Sequence, residues 1–273
     1  MFLGSKPSIR SILPSPIMKL QAITITLALV AFCPGFLTAA ETPPDADQLL
    51  RQMSSKLAAA KTLRVEAVRE IDAALLEGRS LPEKARISAV ARRPDKIAAV
   101  SKSKHGARHF FADGKQLTLF DESTNHYSVV PMRTGIDGLV DQLDKHYGFT
   151  PPLAEFALSD PYKDFKRQAK TITYLGRART TAGFLGLFGV ECHRIGLKGR
   201  LADAELWIGV DDHLPRKLTA TFHREGSAQV RLAISKWDLA STAADSEFTF
   251  TPPKGAQKIE MWTTRRMQSA SQR

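Results

Sequence analysis

The chain has 273 residues, 43% of them hydrophobic and 25% charged, a balance ordinary for a soluble globular protein. Its formal charge is +11, but the basic residues are scattered and are not interleaved with aromatics, which argues against nucleic acid as a partner. Two cysteines cannot build a disulfide framework in a chain of this length.

Met18-Lys19 is followed by LQAITITLALVAF, an apolar run of 13 residues ending at Phe32. A helix crossing a bilayer needs about 20. The run fits the apolar core of a secretory signal, and Thr38-Ala39-Ala40 before Glu41 supplies small residues for cleavage. Residues 1–40 are therefore expected to be removed, with Met1 or Met18 as the start. Cys33 raises lipidation as an alternative, but Phe32 stands where lipidated signals carry Gly or Ala. Without Cys33 the mature chain keeps Cys192 alone and depends on its own core, which roughly 230 residues can supply. Losing Lys6, Arg10 and Lys19 lowers the formal charge to +8. That charge fits simple solubility or a mild attraction to anionic lipid, a peripheral membrane contact at most. Residues 263–273, ending in RRMQSASQR, are expected to be a basic disordered tail.

Asp45 to about Leu63 reads as a helix. Asp45 caps it after two prolines, and Ala46, Leu49, Leu50, Met53, Leu57 and Ala60 share one face. The period then changes to two, through Val65, Ala67, Ile71, Ala73 and Leu75 and again through Ile87, Ala89 and Ala91. Asp113-Gly114 between HFFA and KQLTLF is the strongest hairpin signal, and NHYSVV follows as a strand. In TGIDGLVDQLDKHYGF, Ile136, Leu139, Val140, Leu143 and Tyr147 return to helical spacing. Thr150-Pro151-Pro152 breaks the chain, and LAEFALSDPYKDF reads as one or two short helices. Strands resume at TITYLG and continue through ECHRIGL, AELWIGV, RKLTATF, QVRLAIS and EFTF. The predicted fold is mainly β with helices (α+β), a single domain over 41–262. It holds an antiparallel sheet of about ten strands, an N-terminal helix and inserted helices that cover the apolar face.

Alternation separates the two arginines of ARRPDK (91–96). In RISAVARR, Arg93 shares a face with Ile87, Ala89 and Ala91, whereas Arg92 falls with Arg86, Ser88 and Val90. Arg92 is expected in solvent and Arg93 inside, where alanines leave it room. A buried guanidinium has five donors and needs acceptors, and free carbonyls at the end of a covering helix would supply them. Arg93 is therefore predicted to tether the inserted helices to the sheet. A salt bridge to a nearby acid is the plainer alternative.

FTFTPPKGAQKI (248–259), RRPDK (92–96) and ADGKQLTLFDESTNHYSV (112–129) resemble the LolA family of periplasmic lipoprotein carriers. They look closer still to an uncharacterised family of predicted periplasmic proteins on that fold, which YLG (174–176), the CH pair (192–193) and LWI (206–208) also fit. The resemblance covers most of residues 45–260. It implies an open antiparallel half-barrel whose apolar hollow is closed by a helical lid. Carriers of this kind hold lipoprotein acyl chains in the hollow, and the regulator RseB senses them with the same fold. The arginine of the carriers' RP motif binds lid carbonyls in the closed form, and by motif position it is Arg93 here. The chain departs from the carriers in its strand-rich length before RRPDK and between 131 and 247, which leaves the cargo open.

No HExxH, GxSxG, phosphate-binding glycine pattern or paired-cysteine metal motif is present. GFLGLFG (183–189) is apolar and reads as a hairpin connection. His105 and His109 lie four apart in a β region, where that spacing does not force a shared metal. Cys192 and His193 should point to opposite faces of a strand, a poor nucleophile–base pair. DKHYGF holds Asp144, His146 and Tyr147, but Tyr147 continues the apolar stripe. No catalytic residue, metal ligand or cofactor is assigned.

Ile136, Leu139, Leu143 and Phe156 are the candidate ligand-lining residues. At helical spacing they fill a core by default, and they line a site only if the hollow admits a ligand. A buried acyl chain contributes about 0.8 kcal/mol per CH₂. The expectation is a non-enzymatic periplasmic protein that holds a lipid, or a lipoprotein acyl chain, under a movable lid. The alternative is an RseB-like module that binds an envelope protein partner. A continuous apolar cavity beneath 134–166 would mark the first, and a filled hollow with an exposed apolar patch the second.

Overall fold

In a computed structural model the described residues are 43–261, apart from 77–79, 152, 182–188 and 225. The expected signal (1–40), the basic tail (263–273) and most of GFLGLFG lie outside them. The alternating stretches form two antiparallel meanders. The first holds β1 (Thr62–Ile71), β2 (Glu83–Arg92), β3 (Lys96–Ser103), β4 (Gly106–Ala112), β5 (Gln116–Asp121) and β6 (His126–Pro131). The second holds β7 (Ala169–Arg179), β8 (Glu191–Gly199), β9 (Ala202–Gly209), β10 (Pro215–Phe222) and β11 (Gln229–Asp238). They join where β1 pairs with β11, Arg64 opposite Asp238 and Ile71 opposite Val230. With β12 (Gln257–Lys258), which runs parallel to β6, the result is one unclosed sheet of twelve strands.

Three segments differ from the alternation reading. Residues Ala73–Leu75 form a 3-10 turn rather than more strand, because Asp72 leaves the sheet to accept the Gln229 N–H at 2.8 Å. β3 escapes a period-two search because Ile97, Ala98 and Ala99 are all buried, so both faces are covered. EFTF is not a strand: Asp245–Phe248 is a 3-10 turn within a C-terminal strap that crosses the sheet. Phe248 packs on Val90 and Ala98, and the Phe250 ring lies 5.2–5.7 Å from those of Phe111, Phe120 and Tyr127.

The strap covers one face, termed outer; helices cover the other, termed inner. α1 (Ala46–Ala58) is shorter than expected, with the Asp45 carboxylate accepting the Asp47 N–H at 3.0 Å. It buries Leu49, Leu50, Met53 and Leu57 against the sheet. Between the meanders come α2 (Ile136–Tyr147), α3 (Ala154–Ala157) and α4 (Pro161–Gln168), the inserted helices. Among the described residues no helix is long and apolar enough to cross a membrane.

Candidate functional site

The floor of the inner face is made of small side chains. Register places Val65, Ala89, Ala99 and Phe110 in one row across β1–β4, and Leu63, Ala91, Ile97 and Ala112 in the next. With Ala67 and Ala85, six buried alanines leave a shallow trough. The bulk that fills it comes from the inserted helices. Ile136, Leu139, Leu143 and Phe156 are all no more than 3% exposed and belong to one apolar cluster with the sheet. Of the four, only Phe156 borders the remaining void, about 10 Å³ between Val65, Ala89, Ala91, Leu153 and Trp237. That is room for about one water. That void is too small for an acyl chain. The Phe156 ring occupies the trough, 6.0 Å and edge-on to Trp237 and 6.0 Å from Phe165.

Arg93 stands at the end of the trough. Its Nη1 donates to the Ala60 carbonyl just beyond α1 at 2.9 Å, and its Nη2 to the Leu158 carbonyl at the end of α3 at 2.7 Å. The Ile136 N–H opening α2 donates to the Pro94 carbonyl at 2.9 Å, so the RRPD turn touches both α2 and α3. Burial lowers the Arg93 pKa, with Asp137 acting against it. α4 is tied instead to α1: Lys166 donates to Asp47 at 2.7 Å, the Tyr162 N–H to Ser54 at 2.9 Å, and Arg51 stacks over the Tyr162 ring. The connection between α2 and α3 carries Gly148 at φ +67° and Leu153 at φ +65°. For a leucine that left-handed backbone costs on the order of 1 kcal/mol.

Arg92, expected in solvent, is held on the outer face. It donates to the Ala243 carbonyl at 2.6 Å, pairs with Asp245 and lies over the Phe248 ring. Arg64 grips the same strap through Ser241, the Thr242 carbonyl and Glu247. Between strap and sheet lies a groove of about 390 Å³, bordered by Arg64, Glu66, Val90, Phe111, Lys236 and Glu247.

The other chemical groups singled out in the sequence have separate surroundings. Cys192 is buried, which pushes its thiol up to about 11. Its neighbour His193 faces Tyr174, whose hydroxyl is 3.2 Å from Nδ1. His109 pairs with Glu122 at 2.6 Å, while the His105 amide N–H bonds to Ser103. Among the described residues no three metal-ligating side chains come together.

Sequence reading passed over Arg69 and Glu155. Arg69 follows Val65 and Ala67 on the inner face, opposite Ala85 and Leu232, so the alternation that places Arg93 inside also places Arg69 there. Glu155 sits in α3; burial pushes its carboxyl up to about 7, with Asp164 adding and Arg69 opposing.

These features define an unclosed antiparallel sheet with a helical cover on one face and a C-terminal strap on the other. Residues 46–262 match the family described as "Predicted periplasmic protein (DUF2092)", and the chain belongs to that family. It is the family of predicted periplasmic proteins that the motifs pointed to. No curated protein matches the chain. Among similar solved structures is an uncharacterised conserved protein from Thermus thermophilus, at 11% identity and TM-score 0.48, covering 79% of this chain and 98% of that one. The MucA/MucB complex of Pseudomonas aeruginosa matches at 14% identity and TM-score 0.41, over 76% of this chain and 62% of that one. A LolA superfamily protein from Nitrosomonas europaea matches at 11% identity and TM-score 0.36, over 76% and 99%.

Proposed function

We propose that this is a non-enzymatic periplasmic binding protein, exported by the signal in residues 1–40, that holds an acyl-bearing ligand between the sheet and a lid formed by 136–168. Ile136, Leu139, Leu143 and Phe156 line the ligand when the lid lifts, and Arg93 is its latch. The observation that carries this reading is the way the trough is filled. Six alanines form the floor, and one ring from the short α3, Phe156, takes the space an acyl chain would take. The left-handed Leu153 and the two bonds of Arg93 give the lid a hinge and a catch. Native mass spectrometry of the mature protein purified without detergent tests the proposal. Co-purified lipid supports it; no lipid together with no uptake of a fluorescent fatty acid sinks it.

The filled hollow also favours a second reading, an RseB-like module that binds an envelope protein partner. The most exposed large hydrophobics among the described residues, Leu81, Leu175, Leu201 and Ile259, come from four different segments. They lend less support to that reading than a single patch would.

A further inference from the structure

A second arginine lies under the lid, and among the described residues it lacks the acceptors that Arg93 has. Arg69 projects from β1, seventh in the twelve-strand order, between Ala67 and Ile71 along the inner face. Four residues separate it from Val65 at the void beneath Phe156, about 13 Å along the strand. Ala67 and Ala85 floor the path between. Its side chain is 24% exposed, and burial lowers its pKa.

A guanidinium carries five donors in a planar fork. In this structure Arg93 and Arg69 each leave a buried Nε without a partner, but Arg93 spends its other donors on two carbonyls. The one ion-pair partner of Arg69 among the described residues is Glu83 on β2, at 3.9 Å, beyond hydrogen-bonding range. Among the described residues the other charged groups around it do not supply the missing acceptor. Arg108 on β4 is a like charge, itself 3.1 Å from Asp121. Asp164 on α4 is already bonded to Arg167 and Gln168. Glu155 on α3 makes no ion pair with it among the described residues, and burial raises its carboxyl to about 7. A partly buried cation with so few protein acceptors is left with donors that an arriving anion can satisfy.

We propose that Arg69 receives the anionic head, a carboxylate or phosphate monoester, of a single-tailed amphiphile whose chain lies along the alanine-floored trough. This rests on the lidded-binding reading above and adds the class of head group. The fork of a guanidinium matches both heads bidentately, whereas an uncharged alcohol or ester leaves the cation unmatched.

Dodecanoate, dodecyl phosphate and dodecanol share one chain and differ in the head. Their affinities for the mature protein at about pH 6, read by calorimetry, separate head from tail. Both anions should bind at least about tenfold more tightly than the alcohol. Arg69→Met should bring the anions down to the level of dodecanol and leave dodecanol unchanged, while Arg69→Lys should keep part of the preference. Equal affinity of the wild-type protein for all three, or an anion preference that survives Arg69→Met, overturns the head-group assignment and leaves the trough standing. Failure of all three to bind overturns the trough and the head-group site together. The wild-type ratio needs no variant, so an Arg69→Met protein that does not fold does not rescue the idea.

Discussion

Arg92 and Arg93 are consecutive in the chain and hold opposite faces of the sheet. Arg93 donates to Leu158 on the lid side, and Arg92 to Ala243 on the strap side. One backbone step thus carries contacts to both covers.

Arg93→Leu should speed amide exchange through 136–158 while leaving 240–250 protected. Arg92→Leu should do the reverse, exposing the strap and sparing the lid. Each lost bond from a charged donor to a carbonyl is worth about 1.5–3 kcal/mol. Exchange measured by mass spectrometry reads both segments at once. The same pattern from both variants would show that the covers are coupled and the division by face is wrong.

Phe156→Ala removes the ring that fills the trough. Global stability in urea should drop by about 3–5 kcal/mol, as for other buried Phe truncations. A dodecanol-type ligand should bind the variant better than the wild type and restore part of the loss. A stability loss with no gain in binding would make Phe156 an ordinary core residue.

Glu155 imposes a pH dependence with a defined sign. Its carboxyl, ordinarily near 4.5, is raised to about 7 by burial, so the closed protein binds a proton that the unfolded chain has released. Stability is highest below about pH 4.5 as far as this group is concerned. It falls as pH rises from there to 7, and the contribution is gone above 7. The shift is worth up to about 3 kcal/mol. Glu155→Gln should flatten the profile between pH 5 and 7 in urea melts, and an unchanged slope would assign the effect to another group.

The strap makes a graded prediction. Phe248 is 1% exposed in its cluster with Val90 and Ala98, while Phe250 is half-buried over the outer aromatics. Phe248→Ala should cost about 3–5 kcal/mol and Phe250→Ala clearly less, both by denaturant midpoint. Asp245→Asn should weaken the strap beside Arg92 and Lys96 without touching the lid.

Local periodicity carried much of this fold. Val65, Ala67, Ile87, Ala89 and Ala91 announce their face through the pleat alone, and the helical spacing of Ile136, Leu139 and Leu143 marks the cover. What was hidden depends on contacts far along the chain. Arg92 looks solvated because its partners Ala243 and Asp245 lie about 150 residues away. β3 looks unpatterned because the strap buries its second face. Arg69 is a different case: the pleat rule applied evenly along β1 places it inside, between Ala67 and Ile71. The filled trough was legible only as one of two alternatives, since spacing says which side chains face inward and not how much space they leave.

The order of strands has a temporal consequence. β1 emerges first from the ribosome yet finds its second partner only in β11, the last long strand, with Ile71 waiting for Val230. Until residue 238 is available, the early meander keeps an open edge and lacks Trp237 as a wall. Pairing at such separation is slow because the loop must close before the contact rewards it. Assembly of the central seam is thereby deferred until β11 is available to close it.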